Sequence, residues 1–335
     1  MKVIILYDRI VDKGGSPDQR DVLEQAKAVR EALSGLGVES ASLPFSFDIK
    51  SFIQSIGTIR PDLVFNLVES VEGHGRLLYF ASAILDFLGI PYTGSSTDAL
   101  YLTTNKLLAK RILSSSGIKT PRRFSEDDLR RGTGPVQGQY IVKSVWEHAS
   151  VGLDEDAVIT VADPDQLLSE LRSRKEAMGG ECFAEEYVEG REFNLSVLAS
   201  RRAPEALPAA EMKFEGYPPG RRKVVGYRAK WEDASFESLH TRRNFEFEPP
   251  DEPLLRQLEH ISTACWHLFA LKGYARVDFR VDERNQPWVL EINANPCLSP
   301  DAGFMAAAAR AGLNCEQVVR RIVRDSGIEG RPWEY

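Results

Sequence analysis

Segments with the pattern of buried strands alternate with segments with the pattern of helices through the first ninety residues. Strands that alternate with helices build βαβ units around a parallel sheet, and such sheets bind ligands at the carboxyl ends of their strands. The sequence therefore predicts a parallel α/β unit. Its expected strands are residues 3–6, 38–43, 62–68 and 90–92, and its expected helices are residues 16–35, 49–56 and 75–88.

The order of elements changes after residue 95. A smaller mixed unit begins near Ser96, and strands dominate from Glu192 onward. The fold class expected is α/β, becoming α+β in the central and C-terminal parts, with domains at residues 1–95 (Rossmann-like), 96–187 and 188–335. The later strands expected are 139–145, 157–161, 181–187, 192–199, 206–213, 224–230, 273–281 and 287–293, and the helices are 104–115, 163–178, 252–271 and 302–326.

The charge and cysteine content exclude several classes of function. Lys and Arg number 42 against 49 Asp and Glu, which gives a net charge of −7 and argues against coating nucleic acid or an anionic membrane. The four cysteines form no CxxC pair, so neither a zinc site nor a disulfide framework is expected. Because no apolar stretch reaches about 18 residues and the N-terminal run is too short for a secretory signal, we expect a soluble, cytoplasmic protein.

Residues 274–296 combine two strand patterns with a set of oxygen ligands. Period-2 alternation places Arg276 and Asp278 on one face of the first strand, and Glu291 and Asn293 on one face of the second. If the strands pair as a hairpin, these polar faces coincide. Two carboxylates and an amide then suit a hard cation such as Mg²⁺ that keeps positions for water and phosphates. The alternative is a solvated outer face of an ordinary hairpin.

A phosphate site is suggested by Lys143 and the loop that follows it. Lys143 lies in an otherwise apolar strand, where an ammonium needs an anionic partner in the protein or a ligand. Residues 147–152 can direct backbone N–H groups at a phosphate. A lysine whose charge simply reaches solvent remains the alternative, and His148 is as readily an ordinary loop residue as a ligand.

The acidic segment 183–192 joins two expected strands. Its backbone can bind the edge of a flat heterocycle, and a carboxylate there can accept hydrogen bonds from ribose hydroxyls. A charged hinge without a ligand is the alternative interpretation.

Taken together, these segments resemble the ATP-grasp superfamily, and most closely the D-alanine–D-alanine ligase family. The resemblance extends over nearly the whole chain in order. It rests on residues 91–95, Lys106, 141–143, 150–152, 185–192, 227–230, 276–278 and 291–293 with Pro296.

The resemblance implies a role for each matching residue. Lys106 and Lys143 correspond to lysines that hold the α- and β-phosphates of ATP. Glu185, with the backbone of Glu186 and Val188, matches the family's adenine site. Glu192 matches the carboxylate that binds the ribose. The ligands of two Mg²⁺ (or Mn²⁺) ions correspond to Asp278, Glu291 and Asn293. Three residues match catalytic residues of the family: Lys230 near the γ-phosphate, Arg276 on the transferred phosphoryl group, and Ser150 in the phosphate loop 147–152. Residues 218–235 match the family's lid.

Three departures from the family concern the substrate. The histidine-glycine motif after the third strand is replaced by residues 65–69, which end in Glu69. The Ser-Leu pair that grips the second D-alanine is replaced by Ala302 and Gly303, and residues 8–20 show no clear counterpart of the usual acidic residue. Because Glu69 adds a carboxylate near the expected substrate position, we expect a substrate that bears an amine or a positive charge.

The function implied is an ADP-forming ligase that joins a small-molecule carboxylate to an amine through an acyl phosphate. An authentic D-alanine–D-alanine ligase and a catalytically silent ATP-binding module are the alternatives. Because relatives are often dimers, a homodimer is also expected.

Overall fold

The N-terminal part of the fold is a three-layer α/β unit. The computed structural model describes residues 1–10, 17–132, 134, 137–147, 150 and 152–328. Strands β2, β1 and β3 form a parallel sheet in that order, which confirms the predicted βαβ arrangement. Residues 90–92 add only a single bridge, between Val64 and Tyr92, and form no full strand. The elements are β1 (Lys2–Asp8), α1 (Pro17–Gly35), β2 (Glu39–Phe45), α2 (Ile49–Ile59), β3 (Leu63–Asn66) and α3 (Tyr79–Leu88).

The central part holds a four-stranded antiparallel sheet in the order β4-β7-β5-β6. Its elements are α4 (Thr97–Thr104), α5 (Lys106–Ser115), β4 (Arg123–Phe124), α6 (Glu126–Arg130), β5 (Gly138–Ser144), β6 (Val158–Val161), α7 (Pro164–Arg174) and β7 (Cys182–Glu186). A helix break at Asn105 separates α4 from α5. The Asn105 side chain accepts a hydrogen bond from Leu108 N at 3.0 Å and so caps α5.

The C-terminal part holds a six-stranded sheet in the order β11-β10-β8-β12-β13, with β9 beside β8. Its pairings are antiparallel, and β8 and β12 form its centre. Its elements are β8 (Arg191–Leu198), β9 (Glu205–Ala206), β10 (Ala210–Phe214), α8 (Tyr227–Trp231), α9 (Phe236–His240), β11 (Thr241–Asn244), α10 (Glu252–Leu268), β12 (Tyr274–Val281), β13 (Pro287–Asn293), α11 (Gly303–Arg310) and α12 (Cys315–Asp325).

The strand expected at residues 224–230 was wrong. Residues 227–231 form α8, although the aromatic side chains of Tyr227 and Trp231 are common in strands. The backbone N–H groups of Tyr227 and Arg228 bind Leu153 O at 2.7 Å and Asp154 Oδ1 at 3.2 Å. Tertiary contacts with the 153–154 turn therefore outweigh the local strand preference.

One hydrophobic core joins the two ends of the chain. Val29 and Leu33 of α1 are buried with Val319 and Ile322 of α12, and with Tyr274 at the start of β12. This packing fixes the N-terminal sheet against the C-terminal sheet. The three predicted domain ranges stay a prediction. None of the helices in the described ranges is long and apolar enough to cross a membrane.

Candidate active site

A cavity of about 670 Å³ is lined by residues from all three sheets. Asp8 ends β1, Lys143 lies in β5, and Asp278 lies in β12, so each sheet contributes a charged side chain. Most of the residues singled out in the sequence border this space. They are Lys106, Lys143, Ser150, Glu192, Lys230, Arg276, Asp278, Glu291 and Asn293.

The hairpin of β12 and β13 brings the expected metal-ligand residues together. In its register Asp278 lies opposite Glu291, and Arg276 lies opposite Asn293, as the alternation predicted. Arg276 donates from Nε to Asp278 Oδ1 at 2.7 Å and from Nη2 to Oδ2 at 2.8 Å. Asn194 Nδ2 on β8 donates to the same Oδ1 at 2.8 Å. Burial opposes the charge of Arg276, but Asp278 outweighs it and holds the arginine pKa above its usual value.

The donor set of this hairpin suits a metal shared with a ligand. Among the residues that the structure describes, no group of three or more His, Cys, Asp or Glu side chains forms a metal cluster. Asp278, Glu291 and the amide oxygen of Asn293 instead leave positions for water and phosphate oxygens, which is how Mg²⁺ is usually held. The Asn293 oxygen accepts Asn295 N at 2.9 Å, so one of its lone pairs remains for a ligand. These residues therefore fit a phosphate-bound Mg²⁺.

Lys106 is held at the edge of the hairpin by a backbone carbonyl and a carboxylate. Its Nζ donates to Glu147 O at 2.6 Å and lies 3.5 Å from Glu291 Oε2. Burial lowers the pKa of Lys106, and the charges of Glu291 and Glu147 oppose that shift. The ammonium thus lies beside the proposed metal ligands.

The anionic partner of Lys143 in the protein is the carboxylate of Glu185. Lys143 Nζ donates to Glu185 Oε1 at 2.6 Å, and Lys110 forms an ion pair with the other oxygen. Burial alone would raise the pKa of Glu185, but the two ammonium charges outweigh it and lower the pKa. Lys143 therefore has a partner in the protein and also borders the cavity.

Lys110, the second lysine paired with Glu185, lies behind the described lining of the cavity, and sequence reasoning missed it. Its side chain is 1% exposed, and its Nζ donates to Thr120 Oγ1 at 2.9 Å. Burial lowers the pKa of Lys110 to about 8. The sequence contained a signal for Lys110, because it follows Lys106 by four residues and so lies on the same helical face.

The segment expected to bind adenosine runs between β7 and β8. Glu192 borders the cavity, and its Oε2 lies 2.9 Å from Arg280 Nη2. Burial raises the pKa of Glu192, and Arg280 opposes the shift. Glu185, Glu186 and Val188 are not among the described residues that line the cavity. Glu186 instead pairs with Arg122 at 3.2 Å.

Lys230 and Ser150 reach the cavity from two adjoining segments. Burial and the charge of Arg276 both lower the pKa of Lys230, against the pull of Glu291 and Asp278. Ser150 Oγ donates to Val225 O at 3.2 Å, which joins the expected phosphate loop to the segment before α8. Of that loop, residues 148, 149 and 151 lie outside the described residues, and the expectation for His148 lies there too.

The wall of the cavity at the end of β1 is acidic. Asp8 accepts Glu69 N at 2.9 Å and Ser70 Oγ at 2.7 Å, while Gln25 Nε2 donates to Glu69 Oε1 at 2.7 Å. Burial raises the pKa of Asp8 to about 7. Burial, with the charges of Asp8 and Asp21, raises that of Glu69 to about 8.

Sequence reasoning missed Asp8 and Asp21, which border the cavity, and Gln25, which donates to Glu69. Asp8 had a signal, since it ends β1, and ligands bind at the carboxyl ends of parallel strands. Residues 8–20 show no clear counterpart of the family's acidic residue in sequence, although Asp8 itself borders the cavity. Asp21, one residue after that range, borders the cavity as well. Residues 11–16 lie outside the described part of the chain.

Comparisons with known proteins agree with this architecture. The family model described as the D-ala D-ala ligase C-terminus matches residues 135–324. An uncharacterised protein designated y4sG from Sinorhizobium fredii is 31% identical, over 78% of this chain and 73% of that protein. The D-alanine–D-alanine ligase of Bordetella avium is 28% identical, over 98% of this chain and 96% of that protein. The crystal structure of D-alanine–D-alanine ligase from Bacillus anthracis complexed with ATP superposes with a TM-score of 0.70 at 20% identity, covering 97% of this chain and 96% of that one.

The three sheets around one charged cavity define an ATP-grasp fold preceded by a Rossmann-like unit. The chain belongs to the D-alanine–D-alanine ligase family, because the family model covers more than half of its length. The family resemblance, the fold class and the classification as an ATP-dependent carbon–nitrogen ligase are confirmed.

Proposed function

We propose that this enzyme joins a carboxylate to an amine in an ADP-forming reaction that passes through an acyl phosphate. The observation that carries the proposal is the convergence of Lys106 and Lys143 with the Arg276–Asp278 pair in one cavity. These side chains provide cations for a polyphosphate beside carboxylates that suit its metal ion. Such an arrangement fits phosphoryl transfer, in which positioning and charge neutralisation supply most of the catalysis.

A carboxylate is a poor electrophile, so it is activated by phosphoryl transfer before the amine attacks. One carboxylate oxygen attacks the γ-phosphorus while the bond to ADP breaks, and Lys230 and Arg276 neutralise the transferred phosphoryl group. The amine nitrogen then attacks the carbonyl carbon, the bond to phosphate breaks, and the nitrogen loses a proton. Mg²⁺ or Mn²⁺, held by Asp278, Glu291 and Asn293, would neutralise charge on the phosphates.

The remaining residues bind the nucleotide and exclude water. Lys106 and Lys143 hold the α- and β-phosphates, and Glu192 binds the ribose. The backbone of 186–188, which lies outside the described lining of the cavity, is proposed to bind the adenine edge beyond it. Ser150 and the lid at residues 218–235 cover the γ-phosphate. Because Ser150 contacts Val225, the loop and the lid can close as a unit and protect the acyl phosphate.

The acidic wall supports an amine-bearing substrate. Asp8 and Glu69 border the cavity at the end of β1, and Glu69 lies near enough to Arg276 for that charge to oppose the rise of its pKa. An ammonium group there would share hydrogen bonds with carboxylates whose pKa values burial has raised to about 7 and about 8. A substrate amine is therefore proposed to bind beside Glu69.

An authentic D-alanine–D-alanine ligase is the second candidate. It is favoured by a specific observation, since the Bordetella avium protein of that name aligns over 98% of this chain. A homodimer is proposed for either candidate. A silent ATP-binding module is disfavoured, because Lys143, Lys230, Arg276, Asp278, Glu291 and Asn293 all border the cavity.

A substrate screen separates these functions. Purified protein with ATP and Mg²⁺ is given D- and L-amino acids singly and in pairs, and released phosphate and ADP are measured while products are weighed by mass spectrometry. Phosphate released in equal amount to a new amide supports the proposal. D-alanyl-D-alanine as the sole efficient product identifies the second candidate. ADP binding without turnover on any pair contradicts both.

A further inference from the structure

Glu147 joins the N-terminal α/β unit to the segment that follows β5. It lies at the start of the expected phosphate loop and borders the cavity. Its Oε1 accepts a hydrogen bond from Gly75 N at 3.2 Å, from a residue 72 positions earlier in the chain. Gly75 is buried and begins a single 3₁₀ turn, Gly75–Leu77, of the N-terminal unit. The carboxylate therefore connects two parts of the fold that share one cavity.

Two glycines confine the side chain of Glu147. A Cβ at Gly75 would lie 2.6 Å from Oε2 and 3.0 Å from Cδ of Glu147, so a larger residue there would displace the carboxylate. A Cβ at Gly179, in the turn before β7, would lie 3.3 Å from both Cγ and Oε1 of Glu147. The carboxylate thus fills the space that side chains at both positions would need, and close packing of this kind restricts where it can lie.

The backbone of Glu147 holds a lysine that is proposed to bind the nucleotide. Lys106 Nζ donates to Glu147 O at 2.6 Å and lies 3.5 Å from Glu291 Oε2. Glu147 N donates to Ser144 Oγ, at the end of β5, at 3.1 Å. The carboxylate, the carbonyl and the N–H group of Glu147 consequently contact three different elements.

A closed turn links Gly75 to the acidic wall. Val71 N donates to His74 O at 3.3 Å, and His74 N donates to Val71 O at 3.0 Å. Glu69, which is proposed to bind the substrate amine, lies just before this turn and borders the cavity. Because the turn is closed by its own hydrogen bonds, a shift at Gly75 also moves the backbone next to Glu69.

We propose that Glu147 is a positioning residue that couples nucleotide binding to the order of residues 69–75, and through them to binding of the amine substrate. The inference rests on the proposed function, in which Lys106 binds phosphates and Glu69 binds the amine. A nucleotide that holds Lys106 also fixes Glu147, so part of the entropy of ordering residues 69–75 is lost before the amine arrives. Two ligands that order the same residue bind with positive cooperativity, which is typically about 5- to 150-fold.

Hydrogen exchange measures this coupling without the amine substrate. Exchange of backbone amides in peptides that cover residues 69–77 is followed by mass spectrometry, with and without saturating Mg²⁺ and ADP. In wild-type protein ADP should slow this exchange by about 5- to 150-fold. Glu147→Ala removes the carboxylate but keeps the carbonyl that holds Lys106, so this variant should bind ADP and lose the protection of residues 69–77.

Further variants separate positioning from folding. Glu147→Gln keeps an oxygen that can accept a hydrogen bond from Gly75 N and should restore the protection. Gly75→Ala displaces the carboxylate and should lose the protection as Glu147→Ala does, and the double variant should lose no more than either single variant. Glu176→Ala removes an exposed carboxylate from the turn that contains Gly179 and should behave as wild type.

The outcomes distinguish this inference from the function beneath it. With an accepted substrate pair, a higher KM for the amine in Glu147→Ala, at little change in ADP affinity, supports it. Wild-type protein that binds ADP with no change in exchange at residues 69–77 overturns the inference alone, as does protection that persists in Glu147→Ala. Loss of the protection in Glu176→Ala also overturns it, because the loss then reports general loosening. Wild-type protein that binds no ADP overturns the proposed function and the inference together.

Discussion

Arg276 and Asp278 form a two-point ion pair along one strand, with Nε–Oδ1 at 2.7 Å and Nη2–Oδ2 at 2.8 Å. The residue proposed to stabilise a transferred phosphoryl group thus orients the carboxylate proposed to hold the metal. Asn194 binds the same carboxylate at 2.8 Å from the neighbouring strand. In the proposed mechanism, Asp278 therefore couples phosphoryl transfer to metal binding.

Removing the charge of a metal ligand should abolish turnover. Asp278→Asn and Glu291→Gln each remove an anionic oxygen ligand from the proposed Mg²⁺ site, so phosphate release should fall to background. Glu283→Gln, in the exposed turn of the same hairpin, is the matched control and should be fully active. Wild-type activity in a folded Asp278→Asn or Glu291→Gln protein would remove that residue from the site.

Lys143 should contribute to nucleotide binding. Lys143→Ala is expected to weaken ADP binding by about 1.5–3 kcal/mol, the value of a hydrogen bond to a charged group. Titration calorimetry measures the change, and Lys119→Ala at an exposed position serves as control. Unchanged ADP affinity would show that Lys143 serves only to pair with Glu185.

Glu185 should be a major contributor to stability. Glu185→Gln leaves Lys110 and Lys143 without their shared carboxylate, and breaking a buried ion pair in this way costs about 3–5 kcal/mol. Because the folded pKa of Glu185 is lowered, its stabilisation is present above the unfolded pKa and is lost as pH falls through the folded value. Urea denaturation at pH 7 and at lower pH measures both effects. Equal stability of variant and wild type at pH 7 contradicts this account.

Glu69 should destabilise the protein at alkaline pH. Its pKa rises from 4.5 to about 8 on folding, so the folded protein holds the proton more tightly than the unfolded chain. The free energy of unfolding therefore falls as pH rises through this window. Glu69→Gln should be more stable than wild type at pH 9, with the difference small at pH 4. Exposed Glu24→Gln is the control, and a difference independent of pH would argue against titration of the Glu69 carboxyl in this range.

The hairpin and its ligand face were predictable because period-2 alternation is local. Arg276, Asp278 and Asn293 were assigned to one face from spacing alone, and the register agrees. Helix α8 was not predictable, since its backbone donors are bound by Leu153 and Asp154, more than seventy residues away in the chain.

Only some of the residues that border the cavity away from the nucleotide residues were predicted. Glu69 was found because it stood where a family motif was missing. Arg243, which also borders the cavity, was not predicted, because its sequence neighbourhood resembles a charged surface loop. Its position beside Gly303 depends on the pairing of β11 with β10 and on the turn before α11, which no local pattern specifies.

The transfer of oxygen-18 from the acid substrate to phosphate tests the central claim most directly. With both carboxylate oxygens labelled, an acyl phosphate that is displaced by an amine leaves one labelled oxygen in each phosphate released. Mass spectrometry of the phosphate, alongside the amide product and ADP, measures this transfer. The account predicts one oxygen-18 per phosphate, in equal amount to the new amide. Unlabelled phosphate released while the amide forms would contradict it.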